Sequence, residues 1–466
     1  MEKRLVAFGL FLVFFLSFAA AAVVQCAEGD DKCQIDNGYS CLNGQISNKT
    51  CPSLGSEEKI FSLLATGKCS SEVKSDSKYK SDITYTSQAI LGMKESSSVN
   101  SDAKTWLFSK NRATDSIDWF LEIESPNQTT CIVDYSSSST VKINNDKTVN
   151  SVTGGNCLTK SPNGYWIKID ESCFDEQFTV SCDRQFLTTL LYKSQDSDTI
   201  FVSEKTSSAS ADGTTKEKVG SLCFGQSSCN YRETLWAALA LNVMGINVSD
   251  YLPYLITKES DNEELLPEAF LYRLTGNVEF KNQLLSKQIS GKWWVLDENR
   301  YFGTALALYP LQYEEPQQKK DSINWLLNEA QEESGCWNSE NVRDTAFILY
   351  SISPRATSSD GSASCVSSGH FCLSQINCQG EVLPGYSCSG AFVCCTEDII
   401  LKSCSSQGGQ ICSPSQNCVG INSLVTEASG LGSDETCCLE GTCQNQQTTA
   451  ASECETLGGI CRPSSC

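Results

Sequence analysis

Histidine is nearly missing from this 466-residue chain: His370 is the single one. Its scarcity excludes Ser–His and Cys–His nucleophile pairs and histidine-containing zinc sites from the whole region before it. No Cys-x-x-C occurs despite 27 cysteines, which removes the usual zinc-ribbon and thioredoxin readings. Positive charge is also scarce. Thirty-five Lys and Arg stand against 56 Asp and Glu, a formal net charge of -21. Such a balance excludes nucleic acid as a partner, because phosphate backbones need clustered bases. Beyond residues 5–24, no run is apolar enough for a membrane helix.

The abundant features point to export. Glu2-Lys3-Arg4 precedes an apolar stretch from Leu5 to Val24 with small residues at Ala19 to Ala22, so residues 1–25 read as a signal peptide. An uncleaved signal anchor is the alternative, and membrane attachment is expected only in that case. Cysteines in an oxidising compartment are expected to pair. Asn-x-Ser/Thr sequons at Asn48, Asn127 and Asn247 are compatible with a glycosylated surface. A secreted or extracellular location follows. The acidic surface serves solubility.

Composition divides the chain. Residues 26–51 hold four cysteines around Asn37-Gly38 and Asn43-Gly44, and read as a disulfide-tied cap with tight turns. Residues 52–121 are patterned as helices, with Ile60, Phe61, Leu63 and Leu64 on one face. Short β-branched and aromatic segments fill 122–222, a strand-rich insertion stapled by Cys131, Cys157, Cys173 and Cys182. Helical patterning returns over 223–353, and 354–364 is a linker. Cys365, Cys372, Cys378, Cys388, Cys394 and Cys395 define a module at 365–403. A second spans 404–443, and an incomplete third spans 454–466. The odd cysteine total agrees with a truncated reading frame or a free terminal thiol.

The helical part contains a two-part phrase twice. Leu284-x3-Gln288-x2-Gly291-x-Trp293 precedes Arg300 and Thr304-Ala305-Leu306-Ala307-Leu308-Tyr309. Leu327-x3-Gln331-x3-Gly335-x-Trp337 precedes Arg343 and Thr345-Ala346-Phe347-Ile348-Leu349-Tyr350. A period of about forty residues indicates stacked helical hairpins that share a core. The glycines suit tight turns, the glutamines can satisfy free backbone groups, and Asp344-Thr345 can cap the next helix. These halves resemble the glutamine–tryptophan motif of the terpenoid-cyclase and protein-prenyltransferase superfamily, which includes complement and alpha-macroglobulin thioester domains. The resemblance implies a mainly α fold: an α/α toroid carrying the β-rich insertion and the C-terminal disulfide-rich modules. Those modules resemble clip-type or knottin-like units.

Candidate chemistry is sparse. The cyclase Asp-x-Asp-Asp is absent, with Asp196-Ser-Asp198-Thr199 its nearest string, and no metal ligand set or cofactor is expected. Cys223-Phe-Gly-Gln226 has the thioester family's Cys–Gln spacing, but Cys229 offers a disulfide partner. Glu233, Asp297, Glu298 and Asp344 are carboxylates near expected helix starts, able to act as an acid–base pair or, more plainly, as helix-terminal charges. Trp293, Trp294 and Trp166 suit sugar stacking or core filling. The expected function is non-catalytic recognition or adhesion, with an extracellular protein or glycan as ligand. The alternatives are an extracellular carboxylate enzyme acting on a polysaccharide or lipid, and covalent attachment through Cys223.

Overall fold

The computed structural model describes residues 25–445 except 28, 96–100, 115, 354–362, 374–377, 379, 384–385, 389–392, 398–402, 414–415, 420–423, 427–430, 432–434 and 440. The signal segment expected over 1–25 (all but its last residue), most of the 354–364 linker and the third cysteine module lie outside the described residues.

The chain opens with α1 (Asp31–Lys49), α2 (Ser56–Thr66), α3 (Ser70–Ser75), α4 (Ile83–Glu95) and α5 (Ser101–Phe108). After the strands come α6 (Tyr231–Val243), α7 (Leu252–Thr257), α8 (Pro267–Thr275), α9 (Val278–Ser286), α10 (Arg300–Leu308), α11 (Gln317–Asn324) and α12 (Val342–Ile352). The even-numbered helices hold the apolar faces. α2 packs on α4, α4 on α6 and α6 on α8; α8 meets α10 through the turn Tyr309–Leu311, and α10 packs on α12, which returns onto α2. Phe61, Phe302 and Phe347 of α2, α10 and α12 meet ring to ring in this interior, at 4.8–5.3 Å between centroids. The odd-numbered helices flank these on the outside, with α1 lying on α12.

One local device recurs at the helix starts. The buried Thr304 accepts a hydrogen bond from the Trp294 N–H (3.1 Å) and donates to the Trp294 carbonyl (3.4 Å). Thr345 does the same with Trp337 at 3.1 and 3.4 Å, and Thr234 with Phe224 at 2.9 and 3.3 Å. Each hydroxyl thus accepts the N–H and meets the carbonyl of a buried aromatic residue that precedes the helix; the Phe224 and Trp337 carbonyls also accept the Asn230 and Asn341 N–H groups at 2.9 and 3.1 Å. Asparagines Asn230, Asn299 and Asn341 cap the same helices through their side-chain oxygens.

Between α5 and α6 stand β1 (Asn111–Ala113), β2 (Ile117–Glu124), β3 (Thr129–Asp134), β4 (Ser138–Ile143), β5 (Val149–Thr153), β6 (Leu158–Lys160), β7 (Ile167–Ile169), β8 (Gln177–Cys182), β9 (Phe186–Ser194), β10 (Phe201–Ala209), β11 (Thr214–Lys218) and β12 (Leu222–Phe224). They form two five-stranded antiparallel sheets, ordered β10-β9-β2-β7-β6 and β11-β8-β3-β4-β5. Alternation explains them: Cys131, Val133, Val141, Ile143, Phe178 and Val180 point inward while their neighbours are wet. Buried Thr188 of β9 donates to Glu217 of β11 at 2.7 Å, joining the sheets. A short stem, β1 paired with β12, closes the block. The strand-rich unit therefore reaches from 111 to 224, wider than the expected 122–222, because its stem is too short to show a period.

The mainly α toroid is corrected by these sheets. About 41% of the described chain is helical and 25% is strand, so the class is mixed. Reading the strands as a minor insertion undervalued them: ten of them carry a core of their own that is continuous with the helical one. Residues 26–51 also differ from expectation. Instead of a turn-rich cap they are mostly helix α1, and both Asn-Gly pairs sit inside it. Gly38 is there for close approach: a Cβ would come within 2.9 Å of Leu349 and Trp337. Cys41 is bonded to Cys336, 295 residues away, while Cys26–Cys33 and Cys51–Cys69 are local. Asp344 does not cap α12; Asn341 does, and Asp344 lies in the first turn.

Every cysteine from Cys26 to Cys443 is in a disulfide. Cys131–Cys182 and Cys157–Cys173 brace the sheets. The C-terminal modules pair as Cys365–Cys394, Cys372–Cys388 and Cys378–Cys395, then Cys404–Cys437, Cys412–Cys443 and Cys418–Cys438. In both, the first and third cysteines take the two members of the adjacent pair. Dense disulfides are compatible with an extracellular protein. No helix among the described residues is long and apolar enough to cross a membrane.

Two stability outcomes follow. Cys41→Ser with Cys336→Ser removes the longest-range crosslink and lowers unfolding free energy by about 2–5 kcal/mol in chemical denaturation. Thr345→Val leaves the Trp337 N–H without its partner, while the carbonyl keeps the Asn341 N–H at 3.1 Å, and costs about 1–3 kcal/mol by the same measurement; an unchanged midpoint would show the bridge to be dispensable.

Candidate functional site

The starts of the even-numbered helices converge around a cavity of about 430 Å³. Three acids, Glu57, Asp82 and Asp297, and three bases, Lys78, Arg232 and Arg343, stand around it. Trp236, Phe302 and Leu296 form its apolar part, and Gln88 and Asn299 add planar amides. Below it the interior is closed: the space walled by Phe61, Leu91, Leu239, Leu306 and Phe347 holds only about 10 Å³, too little for a bound ligand.

Strained turns aim the polar rim. Asp297 and Glu298 are consecutive left-handed residues at φ 47° and 63°, and Asn338, Ser339 and Glu340 form a left-handed run at 54–59°. Side chains other than glycine pay for this conformation, so it persists only where the surroundings enforce it. One result is a two-pronged ion pair, Arg232 Nη2 to both Asp297 oxygens at 2.9 and 2.8 Å. Arg343 reaches Glu57 at 2.8 Å and Asp344 at 2.8 Å, and lies over the Phe302 ring at 4.6 Å. The mouth charges are therefore largely spent on one another.

Of the four candidate carboxylates, Asp297 lines the cavity and Glu233 lies beside it. Burial and the charge of Asp82 raise the Glu233 pKa above the ordinary carboxylate range. Glu298 is exposed and outside the lining. Asp344 is fully buried and accepts from Arg343, Asn299 (2.8 Å) and Asn338 (2.6 Å), so it organises the rim instead of facing it. Glu57, Lys78, Asp82 and Gln88 escaped the sequence reading. Asp82 caps α4 through the Tyr85 N–H.

The motif residues are structural. Gln288 Nε2 donates to the Gln318 carbonyl (2.7 Å) and Ser322 (2.8 Å) of α11. Gln331 Nε2 donates to the Gln34 carbonyl of α1 and to Gly335, both at 2.9 Å. Each ties the end of one outer helical segment to the next. Gly291 (φ 63°) and Gly335 (φ 87°) are left-handed, and at Gly335 a Cβ would also strike the Asn37 carbonyl at 2.7 Å. The tryptophan register needs correction. Trp294, not Trp293, matches Trp337: both are fully buried, and their indole N–H groups donate to Leu284 and Leu326 carbonyls at 2.6 and 2.8 Å. Trp293 packs on Trp325 beneath Arg300. Trp166 packs on Phe120. The sequon residues Asn48, Asn127 and Asn247 are all exposed.

The thioester reading fails at its nucleophile. Cys223 is bonded to Cys229, and Gln226 instead donates to the Ser81 carbonyl at 3.0 Å. A cleft of about 580 Å³, absent from the sequence reading, lies between the β9–β10 connection and α7–α9. It contains Glu259, half-buried beside Glu268. Burial and the Glu268 charge push the Glu259 pKa up to about 7, against the pull of Lys287. No protein-family model, curated protein or solved structure matches the chain, and the resemblance to the terpenoid-cyclase and prenyltransferase superfamily is accordingly withdrawn.

The raised Glu259 pKa sets a pH window. Its folded value, about 7, exceeds the ordinary 4.5, so its stabilising contribution is complete below pH 4.5 and is lost as pH rises through 7. Part exposure screens this to about 1–2 kcal/mol. The wild-type minus Glu259→Gln difference in unfolding free energy, followed across this window, should fall by that amount; a flat difference contradicts the coupling.

Proposed function

We propose that the protein is an exported recognition protein whose mouth cavity takes an uncharged, hydroxyl-rich ligand, a glycan of a cell surface or matrix. The observation that carries this reading is the charge-balanced rim above an aromatic wall. Equal acids and bases leave no net field for an ionic ligand. Fixed carboxylates, guanidinium groups and amides offer paired donors and acceptors to hydroxyls, while Trp236 lines the apolar side that would meet a sugar's C–H face. Closure of the interior below confines the ligand to the mouth. The sheets and cysteine modules extend the surface available for contact. Export is supported by the disulfide density.

A second reading, carboxylate-assisted cleavage of a polysaccharide, is favoured by the raised pKa of Glu233 next to Asp82. Against it stands the engagement of Asp297 and Glu57 by arginines and of Asp82 by the Tyr85 N–H that it caps.

Binding of the secreted full chain to an array of neutral glycans tests the proposal. A variant with Arg232→Ala and Asp297→Ala should bind its best glycan at least about tenfold more weakly. The pair is exposed and contributes below about 1 kcal/mol to stability, so the variant folds. Equal binding by the variant, or no glycan binding at all, sinks the proposal. Release of reducing ends that Glu233→Gln abolishes would establish the second reading instead.

A further inference from the structure

We propose that the sugar held in the mouth carries an acetamido group, as N-acetylhexosamines do, and that Gln88 on the cavity floor is the residue that reads it. This inference rests on the glycan reading of the mouth and narrows it to one class of sugar.

Most polar side chains around the cavity are already engaged. Arg232 and Asp297 hold each other, Arg343 holds Glu57 and Asp344, and Asp82 caps α4. Asn299 caps α10 and donates to Asp344. Lys78 is exposed to solvent. Gln88 differs from all of these. It is only 4% exposed, and its amide makes no hydrogen bond among the described residues. Its neighbours on α4 show what buried hydroxyls do there: Thr86 and Ser87 donate to the Asp82 and Ile83 carbonyls, and Tyr85 donates to the Val73 carbonyl. A buried amide without such a partner is uncommon and calls for one from outside the protein.

Placement says where that partner enters. Thr84, Gln88 and Leu91 lie at i, i+4 and i+7 along one face of α4. Thr84 lines the mouth and Leu91 the closed interior, while Gln88 and Trp236 line both. These two side chains therefore make the floor of the cavity. The amide of Gln88 is not among the side-chain groups sealed from solvent without a partner. The space beneath it, about 10 Å³, cannot admit a ligand group, so the partner comes from the mouth.

The chemistry of a carboxamide selects the partner. It presents an uncharged donor, Nε2, beside an uncharged acceptor, Oε1. An acetamido group next to a ring hydroxyl is the complement: its carbonyl accepts from Nε2, and the hydroxyl on the adjacent carbon donates to Oε1. The methyl group is then left for the apolar floor. That floor is small, with Trp236 and Leu296 only 5% and 6% exposed, which suits a methyl. Two plain hydroxyls would meet the amide but leave the Trp236 surface facing water.

Calorimetric titration of the secreted full chain with triacetylchitotriose and methyl α-N-acetylgalactosaminide tests the assignment. Each is compared with its counterpart bearing a hydroxyl in place of the acetamido group, cellotriose and methyl α-galactoside. At least one acetamido sugar should bind about tenfold more tightly than its counterpart, and Gln88→Met should abolish that preference. Gln88→Met keeps the length of the side chain and removes an amide without a protein partner, so the thermal midpoint of the free protein should not fall. A lowered midpoint would reveal a structural bond at Gln88 and overturn the proposal. It is also overturned if the hydroxyl counterparts bind equally, or if Gln88→Met retains the preference. In those cases neutral-glycan binding that is lost in the Arg232→Ala, Asp297→Ala variant still upholds the mouth reading. Equal competition by N-acetylglycine methylamide would make the occupant a peptide, and absence of binding by every glycan defeats both readings.

Discussion

A threonine hydroxyl that accepts the N–H of a buried aromatic residue and meets its carbonyl is the contact on which the rim of the mouth cavity depends. At Thr234, Thr304 and Thr345 it locks the chain just before a helix that has no exposed face to spare. Without the hydroxyl the Phe224, Trp294 and Trp337 N–H groups would be buried without their acceptor, at a cost of about 1–3 kcal/mol each. With the entry held, the asparagine cap falls in register and the left-handed turn before it is enforced. Those turns carry Asp297 to Arg232 and surround Arg343 with Asp344 and Glu57. The rim is thus a consequence of how helices begin.

The two cavities differ in kind. At the mouth, bases and acids neutralise one another over an aromatic wall, a surface suited to hydrogen bonding without net charge. In the cleft beside α7–α9, carboxylates outnumber lysines and Glu259 lies against Glu268. Its wall is made jointly by helices and by the β9–β10 connection, so it exists only because the strand-rich block packs on the helical core. Both are wet, polar recessed surfaces on a scaffold stiffened by disulfides. Cys41–Cys336 has a particular part in this: it pins α1 against the last helical pair, where Gly38 has already removed the side chain that would hold them apart.

How far the sequence was legible depends on range. The repeat located Thr304, Thr345, Gln288 and Gln331 and the bonding of the glutamines to backbone groups, because a hairpin that buries one face must recur in spacing, whereas the threonine contacts to Trp294 and Trp337 emerged only in three dimensions. The one-residue difference between the copies hid that Trp294 is the partner of Trp337, since two adjacent tryptophans have the same composition but only one points inward. Asn37-Gly38 and Asn43-Gly44 resembled turns, yet long-range packing on Trp337 held them in a helix. The family likeness rested on those two phrases and does not extend to the chain as a whole, where ten strands in paired sheets outweigh it. Glu259 and Glu268 carried no signal, because acids near helix ends are ordinary until burial removes their solvent.

By itself the sequence determined the periodicities: helical hairpins on both sides of a strand-rich block, cysteine-set modules after them, and a composition poor in basic residues and histidine. Those features are local, and local spacing dictates which face of a helix or strand is apolar. Only the tertiary structure decided the pairing of Cys223 with Cys229 and of Cys41 with Cys336, the meeting of Arg232 with Asp297, and the placing of Glu259 against Glu268 beside a cleft. Each of these joins residues whose separation in space is set by the packing of several elements at once, and desolvation, which gives them their chemistry, exists only after that packing has occurred.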